Sequence, residues 1–377
     1  MTDPVVTRTA EKISAGERLT AADALALYES HDLIAIGKLA DQVNRAKNGD
    51  VVTFASNQHI NPTNVCTLRK TCTFCGYARL PKEEGAYRYT IEQTLAEAAN
   101  AADGLTREFH IVGGLDMKAG LAYYQEMFSA LKSNFPHVHI KALTAVEIAH
   151  IARIEKMTWR DVLIALRDAG LDTMPGGGAE TFSAAVREKI AGKKLAGADY
   201  IGVHRTAHEL GIRTNCTMLY GHVETLTDRV EHLMMLRDLQ DETGGFLAYI
   251  PLAYHPDGNV LGKELGREGT ATTGVDDLKM LAIGRLFLDN FKHIKSHWIM
   301  VSTPLSQLSL HFGVNDLEGT VVREKIYHAV GAHTPQGMTL DALLKLIRGA
   351  GKVPAERDSF YNVLRTFDAA VPAGAGV

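Results

Sequence analysis

Apolar and polar positions along this chain change period repeatedly, from two to about 3.6 and back. Residues 14–47 carry a helical pattern, in which Thr20 is placed to cap A-A-D-A-L-A-L-Y and apolar side chains recur through Leu33, Ile36 and Leu39. A strand-like run, V-V-T-F-A, follows and ends in Q-H-I-N-P-T-N. Thr90 and Gln93 then frame a capping box, with Ile91, Leu95, Ala98, Ala99 and Ala102 along one helical face. From there strand and helix alternate. E-F-H-I-V closes on Gly113-Gly114 before a helix over about 118–132, and V-H-I-K-A-L closes on Thr144 before A-V-E-I-A-H-I-A. D-V-L-I-A-L-R-D-A-G leads to a short L-D-T-M that closes on Pro175-Gly-Gly-Gly. T-N-C-T-M-L-Y closes on Gly221, and the helix after it carries Val230, Leu233 and Leu236. F-L-A-Y-I-P-L-A-Y follows, then a helix around 276–292 and the run H-W-I-M-V.

Alternation of this kind predicts an α/β fold with a parallel sheet and right-handed crossovers. Six to eight units fit a full or partial (β/α) TIM-type barrel, in which chemistry sits at the C-terminal ends of the strands. The expected division is an N-terminal helical segment over 1–50 packed on the barrel, a barrel core over 51–310, and a C-terminal segment over 311–377 that completes or caps it. Composition changes this picture little: 46% apolar and 22% charged residues are ordinary for a globular chain of 377. A net charge of −4 offers no basic field for nucleic acid and no polybasic stretch for an anionic membrane. The N-terminal M-T-D-P-V-V-T-R-T-A has no apolar signal-peptide core, and no run reaches membrane-spanning length, so the cytoplasm is the expected location.

Cysteine usage does change the picture. Three of the four cysteines, Cys66, Cys72 and Cys75, fall within N-V-C-T-L-R-K-T-C-T-F-C-G-Y at 64–77. Four readings compete. Incidental buried thiols would seldom cluster so tightly. A structural zinc site needs a fourth ligand, for which His59 or Cys216 is available but no second C-x2-C is. A redox dithiol of Cys72 and Cys75 leaves Cys66 unexplained. An iron–sulfur cluster on three thiolates leaves one iron open to bind and activate something.

C-T-F-C followed by Gly-Tyr77 resembles the cluster loop of the radical S-adenosylmethionine (SAM) superfamily. I-V-G-G-L-D at 111–116 resembles the glycine pair that receives the SAM amine, and L-Y-G-H-V-E at 219–224 the segment that lies along adenine. Longer stretches are similar to the menaquinone/deazaflavin branch of that superfamily. They include A-L-R-D-A-G-L-D-T-M-P-G-G-G-A-E, L-R-D-L-Q-D-E-T-G-G-F, I-P-L-A-Y-H-P and D-L-E-G-T-V-V-R-E-K-I-Y-H-A-V-G-A, and the resemblance covers roughly residues 50–365. One departure stands out: the family usually places three residues between its first two cysteines, and here T-L-R-K-T intervenes. Two extra residues add at most about 7 Å of chain, which a bulge in the loop absorbs.

The resemblance implies a [4Fe-4S] cluster on Cys66, Cys72 and Cys75, with SAM consumed as co-substrate. It implies SAM contacts from Tyr77, Gly113, Gly114, Glu147, Glu180, Arg187, Gly221 and Glu224, Arg187 as a cation near the SAM carboxylate. The implied reaction adds the 5′-deoxyadenosyl group to 3-[(1-carboxyvinyl)oxy]benzoate, on an electron from a flavodoxin- or ferredoxin-type donor. Sister activities that release free 5′-deoxyadenosine or act on tyrosine are the alternatives, and a non-catalytic iron–sulfur or zinc protein is the alternative of another class. A substrate with two carboxylates needs cationic or hydrogen-bonding partners, and His222, His255, Arg285 and His297 are the candidates. Each position also has a plain reading. Pro175-Gly-Gly-Gly serves equally as a tight turn, Glu147 as a first-turn helix acid, Glu180 as a helix cap, Cys216 as a buried filler, and His59 and Asn61 as partners for backbone groups.

Overall fold

The computed structural model describes residues 3–99, 105–270 and 272–367, so Ala102 lies outside the described residues. Among the described residues ten strands are formed: β1 (Val51–Phe54), β2 (Asn57–Ile60), β3 (Glu108–Ile111), β4 (His139–Ala142), β5 (Thr214–Tyr220), β6 (Phe246–Ala253), β7 (His293–Ser296), β8 (Asp316–Leu317), β9 (Val353–Arg357) and β10 (Val363–Thr366). They pair as a seven-stranded sheet, β10-β9-β1-β8-β7-β6-β5, and a three-stranded sheet, β2-β3-β4. All pairings are parallel except β9 with β10.

The two sheets belong to one ring. β1 runs on into β2 through Ala55 and Ser56, while isolated parallel bridges, Lys141 to Thr173 and Met174 to Thr214, carry the ladder from β4 to β5. The result is a partial (β/α) barrel rather than a continuously closed one. L-D-T-M, expected as a strand, contributes only those two bridges. H-W-I-M-V also departs from expectation, because the strand is His293–Ser296 and Trp298–Val301 is one buried helical turn. A four-residue apolar run does not distinguish the two by period.

Helices wrap the ring. Pro4–Ser14, Ala21–Glu29 and Leu33–Asn48 lie on its outside, and Leu33–Asn48 buries Ile36, Leu39 and Ala40. Thr20 caps Ala21–Glu29 through a capping box with Asp23. Gly37 is required where that face meets Phe312, whose ring a Cβ would approach to 2.4 Å.

Buried ion pairs tie neighbouring strands together. β9 pairs with β1, and Arg357 donates to both oxygens of Asp316 at 2.7 and 2.9 Å. Lys295 lies 3.4 Å from Asp316 and 3.2 Å from Glu318, and Lys141 donates to Glu108 at 2.7 Å. Three buried cations thus face three buried carboxylates, and Ser359 and Tyr361 from the turn after β9 add hydrogen bonds to Glu108 and Asp316.

Candidate active site

One cavity of 310 Å³ opens at the C-terminal ends of the strands. Cys66, Cys72 and Cys75 line it, and all three thiols are free. The long spacing between the first two is taken up by tight turns: Arg69 N–H donates to Cys66 O, and Thr71 and Cys72 N–H both donate to Leu68 O. The five intervening residues coil instead of extending, and Cys72 returns to the cavity wall. Arg69 is spent on Glu83 outside.

Neighbouring backbone holds this loop. Cys66 N–H donates to Arg79 O, and Gly114 N–H donates to Thr63 O at 2.8 Å. Gly113 and Gly114 follow β3 and pack flat on residues 63–65, where a Cβ on Gly114 would stand 2.2 Å from Val65 O. Gly113 N–H donates to Glu147 Oε1 at 2.9 Å, and the other oxygen of Glu147 accepts from Thr144 N–H at 2.7 Å in the capping box of helix Ala145–Glu155. Burial pushes the Glu147 carboxyl up to about 7. Tyr77 lines the cavity with its hydroxyl on that of Tyr87, which donates to Asn61 O. Pro175 to Gly178 form the opposite wall, where Gly176 packs against Cys216, a buried thiol within β5. Glu180 reaches the same cavity from a left-handed backbone, φ +50°, and pairs with Lys194. Burial pulls the Lys194 ammonium down, but the charge of Glu180 outweighs it and keeps the ammonium above its ordinary range.

A metal body fits the thiols. Burial pushes Cys66 up and Cys72 up to about 12; the charge of Cys75 adds to the rise at Cys66, and those of Cys75 and Cys66 to the rise at Cys72. Deprotonating them together calls for positive charge brought in by the group they bind. Among the described residues no three His, Cys, Asp or Glu side chains gather closely enough to grip a single metal ion. Thiols spread around a shared cavity suit a cluster of several metal atoms better than one zinc.

Several expected contacts lie elsewhere. Arg187 does not line the cavity; its guanidinium donates to the carbonyls of Ala179, Thr181 and Leu195, so it braces the chain on either side of Glu180 and Lys194. The cation at the wall is Lys194. Gly221, His222 and Glu224 border a separate cleft with Arg229 and Arg267. There Glu224 accepts from Gly221 and His222 N–H and pairs with Arg229, which makes it a loop clamp; Leu219 of the same motif does line the main cavity. His222 is satisfied by Leu219 O and Val223 N–H. Arg285 is fully buried and spent on Gly313 O, Phe291 O, Lys292 O and Asn315 Oδ1, far from any substrate role.

His255 and His297 do line the cavity, His255 with Nε2 on Met300 O. The sequence reading missed His110, Lys194, Glu318 and Glu324, which line it too. His110 was findable: it stands in register with His59 on the neighbouring strand, rings 4.6 Å apart.

The sequence matches the radical SAM superfamily profile over residues 60–236 and the CofH/MqnC C-terminal region over residues 243–370. It is 46% identical over 366 residues to an aminodeoxyfutalosine synthase of Thermus thermophilus, covering 97% of this chain and 98% of that one. Identity to a cyclic dehypoxanthine futalosine synthase of Streptomyces coelicolor is 37%, over 95% of this chain and 88% of that one. In structure it resembles methylornithine synthase (PylB), with a TM-score of 0.73 at 16% identity over 92% of this chain and 97% of that one, a likeness of fold.

Proposed function

This chain belongs to the radical SAM superfamily, and from that premise we propose that it carries out the aminodeoxyfutalosine synthase reaction. In that reaction the 5′-deoxyadenosyl group of SAM is joined to 3-[(1-carboxyvinyl)oxy]benzoate, which rearranges and loses one carboxylate to give 6-amino-6-deoxyfutalosine, an early step of the futalosine route to menaquinone. The observation that carries the reading is the near-full-length 46% identity, set against 37% for the sister enzyme, on a chain whose three free thiols share one cavity.

In this reading Cys66, Cys72 and Cys75 hold a [4Fe-4S] cluster, which when bound and reduced supplies the electron that cleaves the sulfonium carbon–sulfur bond of SAM. The chain's own residues bind, orient and exclude. Gly113 and Gly114, packed flat on residues 63–65, present their backbone to the SAM amine, and Glu147 fixes the Gly113 amide. Lys194, held by Glu180, supplies the cation at the wall that Arg187 does not. Val112, Val146, Leu219, Ile250 and Leu252 line the cavity with apolar surface that keeps water from a reactive carbon radical. The electron comes from a flavodoxin- or ferredoxin-type protein.

Mass spectrometry of an anaerobic, reduced reaction with SAM and 3-[(1-carboxyvinyl)oxy]benzoate tests this. A SAM-dependent adduct carrying the adenosyl mass, with little free 5′-deoxyadenosine, is expected. Free 5′-deoxyadenosine without adduct moves the chain to a sister activity, and zinc without iron after anaerobic preparation ends the radical reading.

A further inference from the structure

The cavity is short of fixed positive charge. Among its described lining residues Lys194 is the one lysine or arginine, and Glu180 already pairs with it. The acids Glu147, Glu180, Glu318 and Glu324 line the same space. A substrate carrying two carboxylates therefore meets no unspent permanent cation, and its anionic groups must find neutral donors.

Those donors stand at the deep end. His59 and His110 sit one residue inside the ends of β2 and β3, below the glycine pair and the cysteine loop that follow those strands, while His297 follows β7. His59 Nε2 and His297 Nδ1 are buried and have no hydrogen-bond partner. The nearest carboxylate to the first, Glu318, is 3.9 Å away and too far to bond. Glu318 is in turn neutralised by Lys295. Two buried, unpartnered ring nitrogens on one cavity are costly unless something in that cavity completes them. Burial disfavours charge on two of the rings: it pushes His297 down to about 4 and holds His110 well below the ordinary range.

We propose that His59 and His297 form the carboxylate-binding end of the cavity and take the ring carboxylate of the aromatic substrate, with the tilted ring of His110 packed against His59 to fix it. The assignment to the ring carboxylate rests on the reaction proposed above. The vinyl carbon that reacts must face SAM at the cysteine end, and the carboxylate beside it stays there. The ring carboxylate lies at the far end of the molecule and reaches the deep imidazoles. Their unpartnered nitrogens supply two N–H donors to its two oxygens, and the apolar walls strengthen both bonds.

The test uses two half-substrates on the cluster-loaded protein: 3-methoxybenzoate, which keeps the ring carboxylate, and 2-methoxyacrylate, which keeps the vinyl one. Calorimetric titration of wild type, H59L/H297L and H59Q/H297Q is expected to show 3-methoxybenzoate binding weakened at least about tenfold in the leucine pair. The glutamine pair, which retains an N–H at each position, recovers part of that loss, and 2-methoxyacrylate is unaffected in both. Cluster absorbance and thermal melting identify a variant that has not folded, and the single H59Q and H297Q variants then carry the comparison. Equal 3-methoxybenzoate affinity in wild type and the leucine pair, no binding to wild type, or selective loss of 2-methoxyacrylate each overturns the assignment. Adduct formation by wild type is followed separately. If the adduct never forms while 3-methoxybenzoate still needs the two histidines, the carboxylate subsite stands and the proposed reaction falls.

Discussion

Adding one methyl group at Gly114 should separate cluster binding from folding. The built Cβ stands 2.2 Å from Val65 O and 2.7 Å from Val65 C. Both are backbone atoms, so no side chain can swing aside, and the contact falls short of ordinary packing by roughly 1 Å or more. Residues 63–65 must retreat, and Cys66 is next in the chain. The strain of such overpacking is about 1–3 kcal/mol, which for a chain of this length lowers the apoprotein melting temperature by roughly 1–4 °C. Metal–ligand distances tolerate only about 0.2 Å, so the displaced Cys66 should cost far more in metal than in fold. Iron per chain in anaerobically reconstituted Gly114→Ala should fall by at least about half. Gly177→Ala is the control, because its Cβ meets only Thr144 Cγ2 at 3.2 Å. If Gly114→Ala loads iron like wild type and melts within about 1 °C of it, the close approach does not hold the cysteine loop as described.

Three other outcomes follow from the same geometry. Cys72→Ala should abolish the brown chromophore while Cys216→Ala, buried inside β5, should retain it; the absorbance spectra of the two decide. Asp316→Asn leaves Arg357 and Lys295 without their shared charge and should destabilise the fold by about 3 kcal/mol or more, read as a lower denaturation midpoint with its slope unchanged. Glu147, lifted to about 7 in the folded protein, binds its proton more tightly there than in the unfolded chain, where it titrates near 4.5. Stability should therefore fall as pH rises between those two values, by on the order of 3 kcal/mol from this group, and Glu147→Gln should flatten that part of the apoprotein stability profile.

How far the sequence alone reached is clearest at particular residues. Runs whose period matched their structure were readable: Thr20 and Thr144 cap the helices they precede, and E-F-H-I-V ends on the glycine pair that meets the cysteine loop. Short apolar runs were not, because W-I-M-V satisfies a buried turn of helix as well as a strand. The three cysteines were evident from proximity in the chain. Arg187 and Arg285 misled because sequence reports a charge and not where the side chain spends it; both are consumed by carbonyl oxygens. Lys194 and Glu318 went unseen for the converse reason, since their importance comes from facing a cavity that only the assembled strands create.

The buried ion pairs between strands also constrain how the protein is made. Ser56 hydrogen-bonds Glu356 across 300 residues, and Arg357 completes Asp316 from the same ribbon. A ribosome that has released β1 through β7 has delivered Glu108, Lys141 and Lys295, but neither Asp316 nor Arg357. β1 cannot gain its partners until β8 and β9 have been made. Nascent chains should expose the open edge of β1 until β8 and β9 emerge, a late, long-range pairing of the kind that slows folding. Truncation ahead of β9 should yield an aggregating chain caught short of closure, and a holding chaperone that covers β1 would be the natural remedy.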